Sequence, residues 1–323
     1  MTCRNGKIKF SGSVEVSRIN RFLMLFVGAG ALLYVASMFF LGWSEVAATL
    51  AVLGYPVLIA GALFASTAYL WRFCRWEFSL NRLGYNVPRL KHFGIYLCGL
   101  ALMVTPGRVG ETFRSVLLLR QGVRWQHSLV AFFVDRLTDV LGICLVGFIA
   151  AVLTSNAFAW VWGLAFASFF IGSWVATYLF LHLREGGAWA WLMRKLHRLP
   201  LNGGLLILEA WALLWRPGRV LAYSGVAMLA YGSQAFVFGW FCSVAGVAAS
   251  FADCVLIFVH ATLFGSATLL PGGLGATEGA IVLQLVERGV GDVAAVSLAI
   301  AIRLVTIWTG LLIGALALFF VRR

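Results

Sequence analysis

Eight charged side chains lie within otherwise apolar stretches of this sequence: Arg108, Glu111, Arg114, Asp135, Arg136, Asp139, Glu278 and Arg303. Four are positive and four are negative. If these stretches cross a membrane, each charge costs roughly 2.5–3.5 kcal/mol on insertion scales, so the residues must face a cavity or one another. Arginines can hold a phosphate group through charge-assisted hydrogen bonds. Carboxylates can hold a cationic group or carry a proton. The set therefore predicts a polar binding or translocation site for a zwitterionic or anionic group.

The spacing of these charges predicts local pairs. Glu111 and Arg114 are three residues apart, so on a helix they share a face and can pair. Asp135 and Asp139 are four apart, and Arg136 and Asp139 are three apart, which places three charges on one side of one helix. The same residues could instead be structural ion pairs that lock the helices together. The sequence leaves this alternative open.

The composition indicates the class of protein that these charges belong to. Of the 323 residues, 62% are apolar and 11% are charged, with a mean hydropathy of +0.93. A soluble domain has roughly 25% charged residues, so this composition excludes a soluble enzyme and a disordered chain. No phosphate-binding loop, metalloprotease or serine-hydrolase motif occurs, and the cysteines have no paired spacing. We therefore expect no catalytic residue, no metal and no cofactor.

Long uncharged runs define the expected spans. A bilayer core of about 30 Å needs about 20 helical residues. The sequence predicts an all-α integral membrane protein, with a cytoplasmic N-terminal segment at 1–21 and a single polytopic domain at 22–321. Six spanning helices are expected at 22–42, 46–71, 127–153, 158–183, 219–244 and 293–321.

Two further apolar stretches, 92–121 and 254–287, are each broken in the middle. Pro106-Gly107 and Gly110 break the first, and Pro271-Gly272-Gly273 and Gly275 break the second. Each half is too short to span a bilayer, which predicts two re-entrant hairpins that enter and leave on one side. Broken helices at membrane depth are tolerated where they line a cavity.

The basic residues set the expected orientation. With a cytoplasmic N-terminus, 20 of the 25 lysine and arginine residues fall in cytoplasmic segments, including a cytoplasmic C-terminus. Four more lie in the apolar stretches and only Arg288 lies outside, as the positive-inside rule requires. Arg72 and Arg75 are counted among the cytoplasmic residues, in the loop after the second helix. This placement accounts for most of the basic charge, so no nucleic-acid partner is expected. Membrane lipids are the expected substrate and solvent, in a bacterial cytoplasmic (inner) membrane. A homo-oligomer remains open.

The two hairpins also resemble each other in sequence. TPGRVGETFRSVLLLRQGV (105–123) aligns with LPGGLGATEGAIVLQLVERGV (270–290), and Arg136 then aligns with Arg303. Chance recurrence of Pro-Gly turns is the alternative. If segments 92–153 and 254–321 are repeats, the three spans between the hairpins make the repeat inverted. Two broken segments would then meet near the midplane, a plan typical of transporters.

Three segments resemble a known family. VTPGRVGETFRSVLLLR, FFVDRLTDVLG and LLPGGLGATEGAIV are similar to the characteristic segments of the lysylphosphatidylglycerol synthetase/flippase transmembrane family. In bifunctional members of that family, this membrane domain moves aminoacylated phosphatidylglycerol between leaflets, and a soluble C-terminal domain synthesises it. The sequence ends at Arg323, after its last apolar helix. The resemblance therefore implies a stand-alone, flippase-like membrane domain without the synthetase domain.

The leading hypothesis is a lipid translocase, either a flippase or a facilitator, for a polar-headed phospholipid or lipid-linked substrate. The rival is a membrane-embedded transferase acting on a lipid-linked substrate, with Glu111 or an aspartate as general base. A translocase leaves its lipid chemically unchanged, whereas a transferase does not. A non-transporting assembly subunit would instead tolerate neutralisation of the buried charges.

Overall fold

The computed structural model of the chain describes residues 53–105, 110–155, 159–183, 202–268 and 270–321, together with residues 47 and 51. Within these ranges the chain forms helices and turns and no strand, which confirms the predicted all-α fold. The expected N-terminal segment 1–21 and the first span 22–42 lie outside the described residues. So do Pro106, Gly107 and Arg108.

Five of the described helices are long and apolar enough to cross a membrane. They lie in α1 (Tyr55–Arg82), α4 (Trp125–Leu153), α5 (Ala159–Leu183), α7 (Pro217–Val244) and the last helical run, α10 (Asp292–Arg303) with α11 (Thr309–Val321). The predicted spans at 127–153, 158–183, 219–244 and 293–321 agree with these bounds within two residues. Most of the described surface of α5 is exposed and apolar, as suits a helix that faces lipid.

The predicted span at 46–71 is wrong at both ends, because α1 begins at Tyr55 and ends at Arg82. Gly54, with φ 76°, precedes α1, and Pro56 lies in its first turn. The helix then continues past Trp71 to Arg82. The hydropathy of the sequence falls at Arg72 and Arg75, but both side chains are buried, with 3% and 2% of their surface exposed. Because they lie inside the protein, they do not end the helix.

Both predicted interruptions are present as helix–break–helix units. The first consists of α2 (Arg89–Leu100) and α3 (Phe113–Leu119), and the second of α8 (Phe251–Ala267) and α9 (Ala276–Val286). In each unit the two arms contact each other. That each hairpin enters and leaves the membrane on one side stays a prediction.

The hairpins pack crosswise. The first arm of the first hairpin, α2, packs on α11, which follows the second hairpin. A Cβ atom added at Gly314 of α11 would collide with the backbone of Ala101, at the end of α2. Reciprocally, α8 of the second hairpin packs on α4, which follows the first hairpin. Each hairpin is therefore held by the long helix that follows the other one.

The remaining described helix is α6 (Asn202–Leu214), which packs against α4. α4 itself crosses α7 closely at Gly142. A Cβ atom added there would lie 2.7 Å from the backbone carbonyl carbon of Ala227, so only glycine fits. A π-helical turn, Leu304–Trp308, interrupts the last helical run directly after Arg303. Such bulges often occur at functional sites. The close crossing and the bulge both lie next to the charged residues.

Candidate functional site

Arg75 is the centre of a buried ion-pair network. Its Nε donates to Oδ1 of Asp135 at 2.9 Å, and its Nη2 donates to Oδ1 of Asp139 at 2.6 Å. Arg114 donates from Nη2 to the second oxygen of Asp135 at 3.2 Å. The Arg114 guanidinium also lies over the Trp76 ring, with 3.5 Å between the guanidinium carbon and the ring centroid. These contacts connect α1, α3 and α4.

Arg136 extends this network towards solvent-accessible space. Its Nη2 lies 3.5 Å from Glu111 Oε2 and 3.2 Å from Asp139 Oδ2, and 21% of its side chain is exposed. The hydroxyl of Tyr231, on α7, donates to the same Asp139 oxygen at 3.3 Å. Asp139 therefore accepts hydrogen bonds from Arg75 and Tyr231 and forms an ion pair with Arg136.

The second hairpin has its own pair. Arg303 Nε donates to Glu278 Oε1 at 2.7 Å, and Arg303 Nη2 donates to the carbonyl oxygen of Gly272 at 2.6 Å. Glu278 lies in the first turn of α9, where the helix dipole favours a carboxylate. Glu278 precedes Arg303 by 25 residues. Glu111 precedes its own partner, Arg136, by the same number of residues in the sequence.

The glycines of the second break have backbone conformations that side chains disfavour. Gly272, Gly273 and Gly275 have φ values of 61°, 66° and 82°. Pro271 begins the short 3₁₀ turn Pro271–Gly273 that contains the first two of these glycines. This geometry turns the carbonyl of Gly272 towards Arg303. At the first break, Gly110 is restricted by space, since a Cβ atom there would lie 2.7 Å from the Leu102 oxygen.

A cavity of about 240 Å³ lies between α4, α7 and the second hairpin. Charged and break residues from both halves of the chain line it: Arg136, Asp139, Gly272, Gly273 and Arg303. Tyr231, Thr262 and Thr277 add hydroxyl groups. Glu111 and Glu278 are not in its lining, but they pair with the lining residues Arg136 and Arg303. Arg114 and Asp135 are not in its lining either, and they connect to it through Arg75, which binds Asp139. The cavity therefore presents two arginines and one carboxylate to a single space.

One predicted pair is wrong, and the others are present. Arg114 pairs with Asp135 rather than with Glu111, which pairs with Arg136. Residues 110–112 form a 3₁₀ turn and α3 begins only at Phe113, so Glu111 and Arg114 do not share an α-helical face. The predicted cluster on α4 is present, because Asp135 and Asp139 both bind Arg75, and Arg136 pairs with Asp139.

Sequence reasoning missed Arg72 and Arg75, which it placed in a cytoplasmic loop. A signal was available in the helical spacing of Phe73, Trp76 and Leu80, which continues the buried face of α1 past Trp71. An apolar stripe of this kind predicts that the helix goes on and that the arginines beside the stripe are buried.

The comparison with known proteins identifies the family. The family described as "Lysylphosphatidylglycerol synthase TM region" matches residues 22–314. The chain belongs to this family. The family resemblance found in the three sequence segments is thus confirmed, and the matched range contains all eight charged residues singled out above. No curated protein and no solved structure shows a significant match to the chain. With its long apolar helices, membership makes this chain an integral membrane protein.

Proposed function

We propose that this protein is a lipid translocase, which moves a polar-headed phospholipid or lipid-linked substrate between leaflets without changing it chemically. The observation that carries the proposal is the cavity that joins Arg136 and Asp139 to Arg303 and the Gly272–Gly273 break. Membership in a family of lipid-modifying and flippase membrane proteins supports it. Polar groups at membrane depth are costly, and a binding site for a polar headgroup explains why they are retained.

The two hairpins support an inverted-repeat plan, which is common among alternating-access transporters. Each hairpin contributes a glutamate that pairs with an arginine 25 residues later, Glu111 with Arg136 and Glu278 with Arg303. Each hairpin also packs on the long helix that follows the other one. Rocking of two such units around a common site is a frequent transport mechanism.

The size and charge of the cavity suit a headgroup. Pockets that enclose a drug-sized ligand measure roughly 300–1,000 Å³, and this cavity of about 240 Å³ is smaller. It can hold a phosphate-containing headgroup, while the acyl chains stay in the bilayer. We assign phosphate binding to Arg136 and Arg303, and we assign binding of a cationic group or a coupling proton to the carboxylates.

The translocation proposal is tested with purified protein in liposomes that contain phosphatidylglycerol labelled on an acyl chain. A membrane-impermeant reductant quenches only the outer-leaflet label in protein-free liposomes. Wild-type protein should make the inner-leaflet label accessible too, and Arg136→Gln should slow this about tenfold or more, because it removes a charged contact to the headgroup.

The exposed Arg120 supplies the control, since Arg120→Gln should leave the rate unchanged. Mass spectrometry of the lipid afterwards decides between the two function classes. Wild-type protein that moves no label contradicts the translocase, and a chemically altered lipid would support the transferase instead.

We further propose that the protein lies in the bacterial cytoplasmic membrane with both termini in the cytoplasm. Arg72 and Arg75 no longer count towards the positive-inside bias, because both are buried in the protein. The remaining basic residues keep the same bias. This orientation places both ends of the first hairpin in the cytoplasm and both ends of the second outside.

Cysteine accessibility tests this topology with exposed positions that flank each hairpin. In a variant without the six native cysteines, Ala248→Cys and Glu287→Cys should react with an impermeant maleimide in intact cells. Asn86→Cys and Arg120→Cys should react only after permeabilisation. All four positions are exposed in the structure. If the two ends of one hairpin are labelled from opposite sides of the membrane, that hairpin is not re-entrant and its segment crosses the membrane.

A further inference from the structure

Arg72 is a buried cation that forms no ion pair with any residue in the described part of the chain. Only 3% of its surface is exposed, and its Nε and Nη2 atoms are buried without a hydrogen-bond partner among the residues that the structure describes. Its guanidinium carbon lies 4.6 Å from the centroid of the Tyr231 ring. That contact is attractive, but an aromatic face does not neutralise a charge. Buried charges are normally paired, so Arg72 has an unmet requirement for an anion.

A small second cavity of about 30 Å³ lies at Arg72. Arg303, Gln234 and Thr306 also line it. A single water needs roughly 10–15 Å³, so this space admits water or the oxygen atoms of a larger anion. It shares Tyr231, Thr262, Thr277 and Arg303 with the lining of the larger cavity. An anion in the larger cavity can therefore extend towards Arg72.

The total charge of the buried arginines and carboxylates also indicates that Arg72 lacks a counter-charge. Among the described residues, five arginines and four carboxylates form this set: Arg72, Arg75, Arg114, Arg136 and Arg303 with Glu111, Asp135, Asp139 and Glu278. Every arginine except Arg72 has a carboxylate partner. One positive charge is left over, that of Arg72, and it lines the small cavity. In a low-dielectric interior, a bound group with one net negative charge is then favoured over a neutral one.

We propose that Arg72 and Arg303 together form an anion site that makes the protein select lipids with a net negative phosphate headgroup over zwitterionic lipids. The inference rests on the proposed lipid-binding function and names the substrate class that the site takes. Arg72 contacts the phosphate oxygens that enter the small cavity. Arg303, which lines the larger cavity together with Arg136, contacts the same phosphate from that side.

The experiment measures lipid retention by native mass spectrometry on the full-length protein. The protein is equilibrated with equal amounts of phosphatidylglycerol, which is anionic, and phosphatidylcholine, which is zwitterionic. Wild-type protein should retain the anionic lipid about tenfold more strongly. Arg72→Gln should abolish this preference, Arg72→Lys should keep part of it, and the exposed control Arg120→Gln should keep all of it.

A second variant makes the test independent of how well Arg72→Gln folds. Gln234→Glu adds a carboxylate to the small cavity and supplies the missing counter-charge internally, so it should also remove the preference. An unchanged preference in folded Arg72→Gln or in Gln234→Glu overturns the assignment. Displacement of the lipid by inorganic phosphate would make the bound species a free ion and would also overturn it.

The outcome is separable from that of the proposed function. Wild-type protein that translocates both lipids at equal rates and retains both equally contradicts the anion site and leaves translocation standing. Wild-type protein that retains the anionic lipid selectively but moves none supports the anion site and contradicts the translocase.

Discussion

Arg75→Gln should lower the free energy of unfolding by about 3–5 kcal/mol, which is enough to prevent folding of a marginally stable membrane domain. Arg75 is the only described residue that binds both Asp135 and Asp139, and its side chain is fully buried. Without it, the two carboxylates lie four residues apart on α4 with one fewer counter-charge. The measurement is thermal unfolding of the detergent-solubilised protein, with size-exclusion chromatography to detect aggregation.

The matched control lies on the same helix. Arg82 is exposed near the C-terminal end of α1, so Arg82→Gln should change stability by about 0.5 kcal/mol or less. A double variant, Arg75→Gln with Asp139→Asn, removes one charge of each sign and should recover part of the lost stability. If Arg75→Gln alone unfolds within 1 °C of wild type, the buried network does not hold α1 to α4.

The sequence was sufficient to predict most of the fold. Spans and breaks depend on local quantities, namely the transfer of apolar side chains into lipid and the backbone restrictions of proline and glycine. For that reason, helices such as α4 and α7 lie within two residues of their predicted bounds. The break at Pro271–Gly273 was predictable for the same reason. Neither feature requires knowledge of what packs against it.

The partners of the charged residues could not be predicted in the same way. Arg75 and Asp135 are 60 residues apart, and nothing local indicates that they meet. A hydropathy scale treats every arginine as if it faced water or lipid, so it ended the second span at Trp71. Once α1 packs on α4, the carboxylates of α4 compensate Arg75, and the helix continues to Arg82.

The same tertiary pairing decides which charges reach the cavity. Of the eight residues that the sequence singled out, Arg136, Asp139 and Arg303 line it. Asp135 does not reach the cavity, because both of its oxygens bind the buried arginines Arg75 and Arg114. Arg108 lies outside the described residues. The sequence thus predicted a cluster of charged residues. Which of these residues line the cavity and which only pair with lining residues follows from contacts between helices that are distant in sequence.

Arg303→Gln should slow translocation of labelled phosphatidylglycerol by about tenfold to a hundredfold in liposomes. A lost hydrogen bond to a charged group costs roughly 1.5–3 kcal/mol, and Arg303 lines both cavities. Glu278→Gln is the matched variant, since it keeps Arg303 and a side-chain oxygen that can accept from it. Its translocation rate should stay closer to wild type than that of Arg303→Gln.

The double variant Arg303→Gln/Glu278→Gln separates a binding role from a structural one. Removing one partner of a buried pair leaves an uncompensated charge, and removing both relieves it, so the thermal stability lost in Arg303→Gln should return in the double variant. If Arg303 binds the phosphate of the substrate, translocation should remain slow although the fold has recovered. If translocation recovers together with stability, then Arg303 and Glu278 form a structural ion pair and the phosphate is held elsewhere.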